Sequence, residues 1–179
     1  INEAYLANVR NIIVKAGTYD IISEYKEEYG DTFFENYSEK NTNKGIVLKN
    51  GINILFSGNS KVVCKYTGGN EKVMSIFSPF NSGEEGFVVD GLNIESKNVR
   101  YCFHDERLQS EDSYFNTYRN CKFKQDNTQS NQTFRACIGG GLGKNGHVVV
   151  DSCEFESVGL TEPRGICTYH NTTADSGRS

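Results

Sequence analysis

Short apolar stretches recur along this chain, and within them apolar and polar residues alternate. Two examples are GINI at residues 51–54 and GLNI at residues 91–94, and both lie beside Gly, Asn, Asp or Ser. A two-residue period is typical of half-buried β-strands, because successive side chains of a strand point to opposite faces. An amphipathic helix would need ten or more residues with an apolar position every three or four. The pattern therefore predicts short strands joined by turns.

Blocks of this kind repeat at intervals of roughly 30 to 40 residues. Four first segments align with one another, at residues 51–54, 91–94, 120–123 and 152–155. Each is followed, after an interval rich in turn residues, by a second segment that contains a cysteine: Cys64, Cys102, Cys137 and Cys167. Short strands repeated at this interval predict a parallel β-solenoid, in which each strand pairs with its equivalent one coil away.

A third strand is predicted before the first segment of a coil. The sequences IVL at 46–48, FVV at 87–89 and VVV at 148–150 fit this strand, and polar bends follow them at residues 49–51, 90–91 and 151–152. The Asn-Gly and Asp-Gly dipeptides in two of these bends tolerate a positive φ. Three strands and their bends thus make up one predicted coil.

The predicted organisation is a single domain in four parts. Residues 1–20 form a cap helix and first strand, since apolar residues at helical spacing in 1–7 suit a short helix that closes the open apolar end. Residues 21–44 form an acidic, Asn-rich excursion, residues 45–171 the coils, and residues 172–179 a polar tail or a link to further sequence. No targeting segment is predicted at the start of the chain.

Composition and charge exclude several classes of function. The 179 residues carry a formal net charge of −4 without a basic run, so we expect no nucleic-acid binding. Hydrophobic residues make up 36%, and no apolar stretch is long enough to span a bilayer, so we expect no membrane insertion. The six cysteines include no Cys-x-x-Cys pair and no His at ligand spacing, so neither a metal site nor a cofactor is predicted.

Strand alternation also predicts which side chains point inward. In the second segments the more apolar register is Val63, Tyr101, Phe103, Ala136, Ile138 and Ile166. That register places the four cysteines of these segments in an outward ladder with Arg100 and Arg135, whereas the opposite register would bury two arginines. Cys121 and Cys153 are predicted to point inward with Phe123 and Phe155. All six cysteines are predicted to be free thiols.

Two segments carry a resemblance to a known family. The sequence IIVKAGTY at residues 12–19 and the sequence NVRYCFHDE at residues 98–106 resemble the pectate-lyase-like right-handed parallel β-helices, and within them the tailspike and appendage proteins of bacteriophages. The resemblance implies an all-β, right-handed, single-stranded parallel β-helix with a short N-terminal capping helix. It also implies a homotrimer on a virion tail or outside the cell, which binds or cleaves bacterial surface polysaccharide.

The richest polar cluster of the sequence lies in the second of these segments. Glycoside cleavage needs two carboxyl groups that flank the scissile bond, so Asp105 and Glu106 are the catalytic candidates, with His104. Neighbours in a strand point to opposite faces, so a better pair would join one of them to a carboxylate one coil away: Asp90, Glu111 or Asp151. The alternative is a solvated surface cluster in which Arg100 pairs with Asp105 and His104 caps a turn.

Other residues suggest binding rather than chemistry. The predicted substrate-binding residues are Arg100, Arg135, Tyr169 and His170, while His147 has less support. Aromatic rings can stack on sugar faces, and the rings near the polar cluster in sequence are Tyr101, Tyr114, Phe115, Tyr118 and Tyr169. The glycine-rich run at residues 139–146 lacks the Gly-Lys-Ser/Thr of a phosphate-binding loop and is interpreted as a turn between coils.

Three functions fit these residues. The first is a phage tailspike or appendage domain that binds bacterial surface polysaccharide, with or without glycosidase or lyase cleavage. The second is a non-catalytic structural module of a virion appendage. The third is a secreted bacterial polysaccharide lyase. The sequence favours the first.

Overall fold

The computed structural model of the protein describes residues 2–29, 46–48, 51–65, 73–79, 86–106, 113–126, 128, 136–142, 145–159 and 167–171. The helices in these residues are α1 (Asn2–Leu6) and α2 (Ile21–Tyr29). The strands are β1 (Asn11–Val14), β2 (Gly17–Asp20), β3 (Ile46–Leu48), β4 (Asn53–Phe56), β5 (Ser60–Lys65), β6 (Val73–Pro79), β7 (Val88–Asp90), β8 (Asn93–Lys97), β9 (Val99–Glu106), β10 (Ser113–Arg119), β11 (Lys122–Asp126), β12 (Ala136–Leu142), β13 (Asn145–Asp151), β14 (Glu154–Val158) and β15 (Cys167–Asn171).

These strands form three parallel sheets of five strands each. Sheet A contains β1, β4, β7, β10 and β13, sheet B contains β2, β5, β8, β11 and β14, and sheet C contains β3, β6, β9, β12 and β15. Each strand therefore pairs with the strand three positions before or after it, and the strands inside a sheet pair with both. We call three successive strands, one in each sheet, a round; five rounds follow one another. The predicted strand-rich architecture with parallel pairing between repeats is confirmed.

The predicted bends are confirmed by the backbone. Gly51, between β3 and β4, has a φ of 70°, and Gly91, between β7 and β8, has a φ of 74°. Ser152 has a φ of 53° in the bend of the last round that corresponds to the bend at Gly91. Asn120 occupies the same kind of bend between β10 and β11 with a φ of 54°. Glycine has no Cβ to clash in this region, and the short polar side chains of Asn and Ser can hydrogen-bond locally.

The alignment of the first predicted block with the later ones is wrong by one strand. Asn53 lies in sheet A opposite Val88, whereas Asn93 lies in sheet B opposite Lys122. Cys64 accordingly pairs in register with Ser96 and not with Cys102. Strands in all three sheets share the same alternation, so the pattern alone does not distinguish the sheets from one another.

The N-terminal region contains more regular structure than predicted. The expected short helix is present as α1, and β1 and β2 already pair with β4 and β5, ahead of position 45. Helix α2 lies in the predicted excursion; the remainder of that excursion, residues 30–44, and the predicted tail at 172–179 lie outside the described residues. Helix α2 begins after Asp20, whose carboxylate accepts hydrogen bonds from the backbone N–H groups of Ile22 (3.1 Å) and Ser23 (3.4 Å). Such an N-cap stabilises a helix start.

The core is a stack of aromatic rings that joins all three sheets. Phe103 of sheet C stacks on Phe77 with ring centroids 4.7 Å apart. It meets Tyr118 of sheet A edge-on at 5.0 Å and Phe123 of sheet B edge-on at 6.2 Å. Phe123 in turn stacks on Phe155 at 5.0 Å. Ring pairs at these separations contribute beyond the burial of their area, so this cluster stabilises the contact between rounds in addition to the strand pairing.

Three of the four cysteines predicted to point outward are in the buried core. Cys64, Cys102 and Cys137 are each 0% exposed, while the side chain of Cys167 is outside the described ones. In β5 the inward residues are Val62 and Cys64, so the predicted inward position of Val63 is wrong. In sheet C buried residues follow one another without alternation, at 75–78, 101–103 and 136–139.

The remaining cysteine predictions agree with the structure. Cys121 and Cys153 belong to the inward packing with Phe123 and Phe155, and Cys121 is fully buried. The free-thiol prediction is confirmed for Cys64, Cys102, Cys121, Cys137 and Cys153.

Candidate functional site

Asp105 lies inside the molecule and not on the outer face where a glycosidase carboxylate was expected. It follows Phe103 at the inward spacing of β9 and is 0% exposed. The side-chain amide of the equally buried Asn116, in β10 of sheet A, donates a hydrogen bond to its Oδ2. A buried carboxylate requires such a partner. The pair therefore ties sheet C to sheet A, away from any polysaccharide at the surface.

Arg100 and His104 meet on one aromatic ring. The imidazole of His104 stacks on Tyr101 with centroids 4.8 Å apart and an angle of 7° between the rings. The guanidinium carbon of Arg100 lies 5.0 Å from the centroid of the same ring. Tyr101 itself is 9% exposed, while Arg100 and His104 are partly exposed. Two of the predicted site residues are thus brought together, with a cation–π geometry that positions Arg100.

The other predicted site residues lie along sheet C. Glu106 pairs with Gly141, which pairs with His170, and Tyr169 is in the adjacent register position opposite Gly140. Glu106 and His170 therefore share one register line but are separated by two strand spacings, about 10 Å. The side chains of Glu106, Tyr169 and His170 are not described, and Arg135 and Glu111 lie outside the described residues.

The glycine-rich run is part of a strand. Gly139, Gly140 and Gly141 lie within β12, which pairs with β9 and β15 in sheet C, so the interpretation of this run as a turn is wrong. The sheet is buried on both faces here, as Ile138 at 0% exposed and the buried Gly139 indicate. Glycine fits a strand where other atoms approach the backbone closely.

The candidate carboxylate Asp90 is held in an ion pair. Arg119 donates to Asp90 Oδ2 from Nη2 (2.7 Å) and Nε (3.1 Å), and Asn120 Nδ2 donates to Oδ1 (2.9 Å). The hydrogen bond from Arg119 is the main cause that lowers the pKa of Asp90, against the opposing effect of burial. Asp151 lies one strand beyond Arg119 on the same line. A glycosidase acid needs a raised pKa, so Asp90 is unsuited to that role.

The outer face of sheet B carries a ladder of ion pairs. Glu95 accepts from Lys61 Nζ at 2.7 Å and lies 3.2 Å from Lys65 Nζ, and the hydrogen bond from Lys61 is the main cause that lowers its pKa. Two further pairs on this face join Lys122 to Glu154 at 3.0 Å and Lys124 to Glu156 at 2.8 Å. This face is a solvated, internally neutralised surface.

The outer face of sheet A is different, because it exposes apolar side chains. Ile13 is 70% exposed, Leu55 47%, Phe115 59% and Val149 42%. Phe115 and His147 lie in register on β10 and β13, and their rings stack with centroids 4.7 Å apart and 13° between planes. We call Phe115 and His147 the ring pair.

Of the aromatic residues considered for sugar stacking, only Phe115 is both described and exposed. Tyr101, Tyr114 and Tyr118 are at most 9% exposed and belong to the packing of the interior. His147 had little support from the sequence as a binding residue. The repeat spacing could have identified the pair, because residues separated by one repeat lie next to each other. The step of 32 residues from Cys121 to Cys153 is also the step from Phe115 to His147.

Nucleophilic and metal chemistry find little support among the described residues. Burial raises the pKa of the Cys121 thiol to about 12, so it is protonated at neutral pH and a weak nucleophile. In the described ranges no three His, Cys, Asp or Glu side chains are grouped so as to hold a metal ion. In the part of the chain that the structure describes, no helix has the length and apolar character that crossing a membrane requires.

No protein-family model, no curated protein and no solved structure matches this chain. Fold and surface together define a strand-rich protein with three parallel sheets, in which the outer face of sheet B is ion-paired and the outer face of sheet A exposes apolar side chains beside one ion pair.

The contribution of the Asp90–Arg119 pair to the stability of the fold should depend on pH. Because the pKa of Asp90 is lower in the folded chain than in the unfolded one, the pair stabilises the fold above the unfolded pKa of about 4. This stabilisation is lost as the pH falls through the folded pKa. We expect Asp90→Asn to lower the free energy of unfolding at pH 7 by at most about 1 kcal/mol, since Arg119 is half exposed.

Urea denaturation of wild type, Asp90→Asn, Arg119→Gln and the double variant at pH 7 and pH 2 measures the effect. A coupling free energy at pH 7 that vanishes at pH 2 is the expected result. An equal loss for Asp90→Asn at both pH values would show that the ion pair is not its cause.

Proposed function

We propose that this chain is a segment of a right-handed parallel β-helix in a virion-tail or other extracellular protein, and that it binds bacterial surface polysaccharide without cleaving it. The observation that carries the proposal is the strip of exposed side chains on the outer face of sheet A, with Ile13 and Leu55 on β1 and β4 and Phe115 and Val149 on β10 and β13. The neutralised Asp90–Arg119 pair lies on the register line of Leu55. A long polymer suits a surface that offers apolar contacts on several strands. The resemblance to phage appendage proteins extends the proposal to a homotrimer.

Binding is favoured over cleavage by the state of three described carboxylates. Asp105 is buried on Asn116, Asp90 is paired with Arg119, and Glu95 is paired with two lysines. Hydrolysis needs one protonated and one ionised carboxyl group at opposite sides of the bond. Arg100 and His104 remain as polar groups that a glycan can contact at the edge of Tyr101.

A non-catalytic structural module is the second candidate, and the ion-pair ladder of sheet B favours it. Pairs that join Lys61 to Glu95 and Lys124 to Glu156 connect successive rounds, as a rigid stalk requires. No described feature favours a secreted polysaccharide lyase over these two.

A binding panel separates the two candidates. The wild-type chain is passed over immobilised bacterial capsular polysaccharides and lipopolysaccharide O-chains, with bovine serum albumin as the control protein. Saturable retention on at least one polysaccharide is the expected result. If none is retained at micromolar protein concentration, the binding function is wrong and the structural module stands.

A further inference from the structure

We infer that the ring pair, Phe115 and His147, is a stacking platform for an uncharged pyranose residue of a glycan that lies along sheet A. The inference rests on the proposed binding function and adds to it a defined subsite and a class of sugar. Pyranose rings present C–H groups on one face, and these pack against the face of an aromatic ring as other apolar groups do.

The ring pair is exposed and held in a fixed position. Phe115 is 59% exposed although it is in the middle of the hydrogen-bonded part of β10, because its side chain points outward between the buried Tyr114 and Asn116. His147 is also exposed and covers one face of the Phe115 ring. A ring fixed by a strand backbone loses little conformational entropy when a ligand binds.

Among the described residues, the neighbour of Phe115 in the preceding round is Gly86, which has no side chain. The register that pairs Thr117 with Val88 places Gly86 beside Phe115. A Cβ at Gly86 would lie 1.7 Å from the backbone oxygen of Phe115, so the two backbones are in close contact. Gly86 therefore adds no side chain beside the Phe115 ring.

The surroundings of the ring pair favour an uncharged sugar. The outward neighbours on the same face are Val88, Thr117 and Val149, which supply two apolar groups and one hydroxyl. The nearest charged line on this face holds Asp90, Arg119 and Asp151, and Arg119 is paired with Asp90. Among the described residues of this line the cation is thus already neutralised, which disfavours an anionic sugar, whereas Thr117 and the His147 ring nitrogens can hydrogen-bond sugar hydroxyls.

The size of the strip fits a glycan better than a protein partner. Five strands about 4.8 Å apart, each with about three outward positions, give an area on the order of 300 Å². A stable protein interface buries about 800 Å² on each partner. The strip is therefore too small for a stable protein contact by itself, and its length suits a few sugar rings.

The test compares variants on two purified probes, an O-chain polysaccharide with neutral repeating units and the anionic polymer polygalacturonate. We expect Phe115→Ala to weaken binding of the neutral O-chain about tenfold or more and Phe115→Trp to retain it. Leu55→Ala is the matched control, since Leu55 is exposed on the same face but two rounds away, and it should change binding less than twofold.

Each result decides the inference. If wild type binds the neutral O-chain and Phe115→Ala binds equally well, the platform is wrong while the binding function stands. If wild type binds polygalacturonate in preference, the assignment to an uncharged sugar is wrong. If wild type binds neither these probes nor the wider polysaccharide panel, the proposed function fails and the platform with it. Circular dichroism confirms that each variant is folded.

Discussion

Replacing Phe103 with alanine is expected to lower the free energy of unfolding by about 3–5 kcal/mol. Phe103 is 0% exposed and contacts rings from all three sheets: Phe77, Tyr118 and Phe123. Truncation removes the buried ring and leaves a cavity that the rigid sheets around it cannot fill. Because the free energy of unfolding of a domain is only about 5–15 kcal/mol, such a loss is a large part of its total stability.

The natural control for this variant is Phe115→Ala, which removes the same side chain from an exposed strand position. We expect it to change the free energy of unfolding by less than about 0.5 kcal/mol. Urea denaturation followed by circular dichroism measures both. Equal losses for Phe103→Ala and Phe115→Ala would contradict the assignment of inward and outward faces.

Gly86→Ala is expected to cost about 3 kcal/mol, although it adds a single methyl group. Its Cβ would lie 1.7 Å from the carbonyl oxygen and 2.4 Å from the carbonyl carbon of Phe115. These are backbone atoms of a paired strand and cannot rotate away, so β10 or the segment before β7 must shift. The backbone oxygen of Gly86 also accepts a hydrogen bond from Gly51 at 2.9 Å, which such a shift would disturb.

Gly58→Ala provides the control, because a Cβ at Gly58 meets no atom within 4 Å and its φ lies outside the left-handed region. We expect Gly58→Ala to be neutral or to stabilise the fold by up to about 1 kcal/mol through the unfolded state. A loss for Gly58→Ala as large as that for Gly86→Ala would show that the close contact at Gly86 is not the cause.

The strands were predictable because alternation has the same physical cause in every round. Apolar groups leave water on one face while polar groups stay on the other, as Ile94 and Glu95 do in β8. The steps of 29 and 32 residues between later blocks even match the observed register, which pairs Asp90 with Arg119 and Phe115 with His147. Repeat spacing therefore determines register where the loops are short.

The sheet to which each block belongs was not predictable, for a physical reason. A strand of sheet A and a strand of sheet B bury the same kinds of side chain, so GINI at 51–54 and GLNI at 91–94 look equivalent but are not. Cys167 likewise pairs with Ile138 and not with Cys137. In sheet C both faces are buried, so alternation gives no information about the exposure of Cys102 or Cys137.

The candidate site was predictable only in part. The cluster of Arg100 and His104 was identified from composition, and the structure brings the two together on Tyr101. Asp105 was expected at the surface because charged residues usually are, yet it is buried and accepts a hydrogen bond from the amide of Asn116, eleven residues later and in another sheet. A partner that lies in another sheet has no local signal in the sequence.

Binding without cleavage is the central claim, and light scattering during size-exclusion chromatography tests it most directly. The wild-type chain is incubated overnight with the polysaccharide that it retains in the binding panel, and the mixture is then separated. We expect protein and polysaccharide to elute together, with the molar mass of the polysaccharide unchanged from an incubation without protein. Separate elution, or a polysaccharide of reduced molar mass, would contradict the claim.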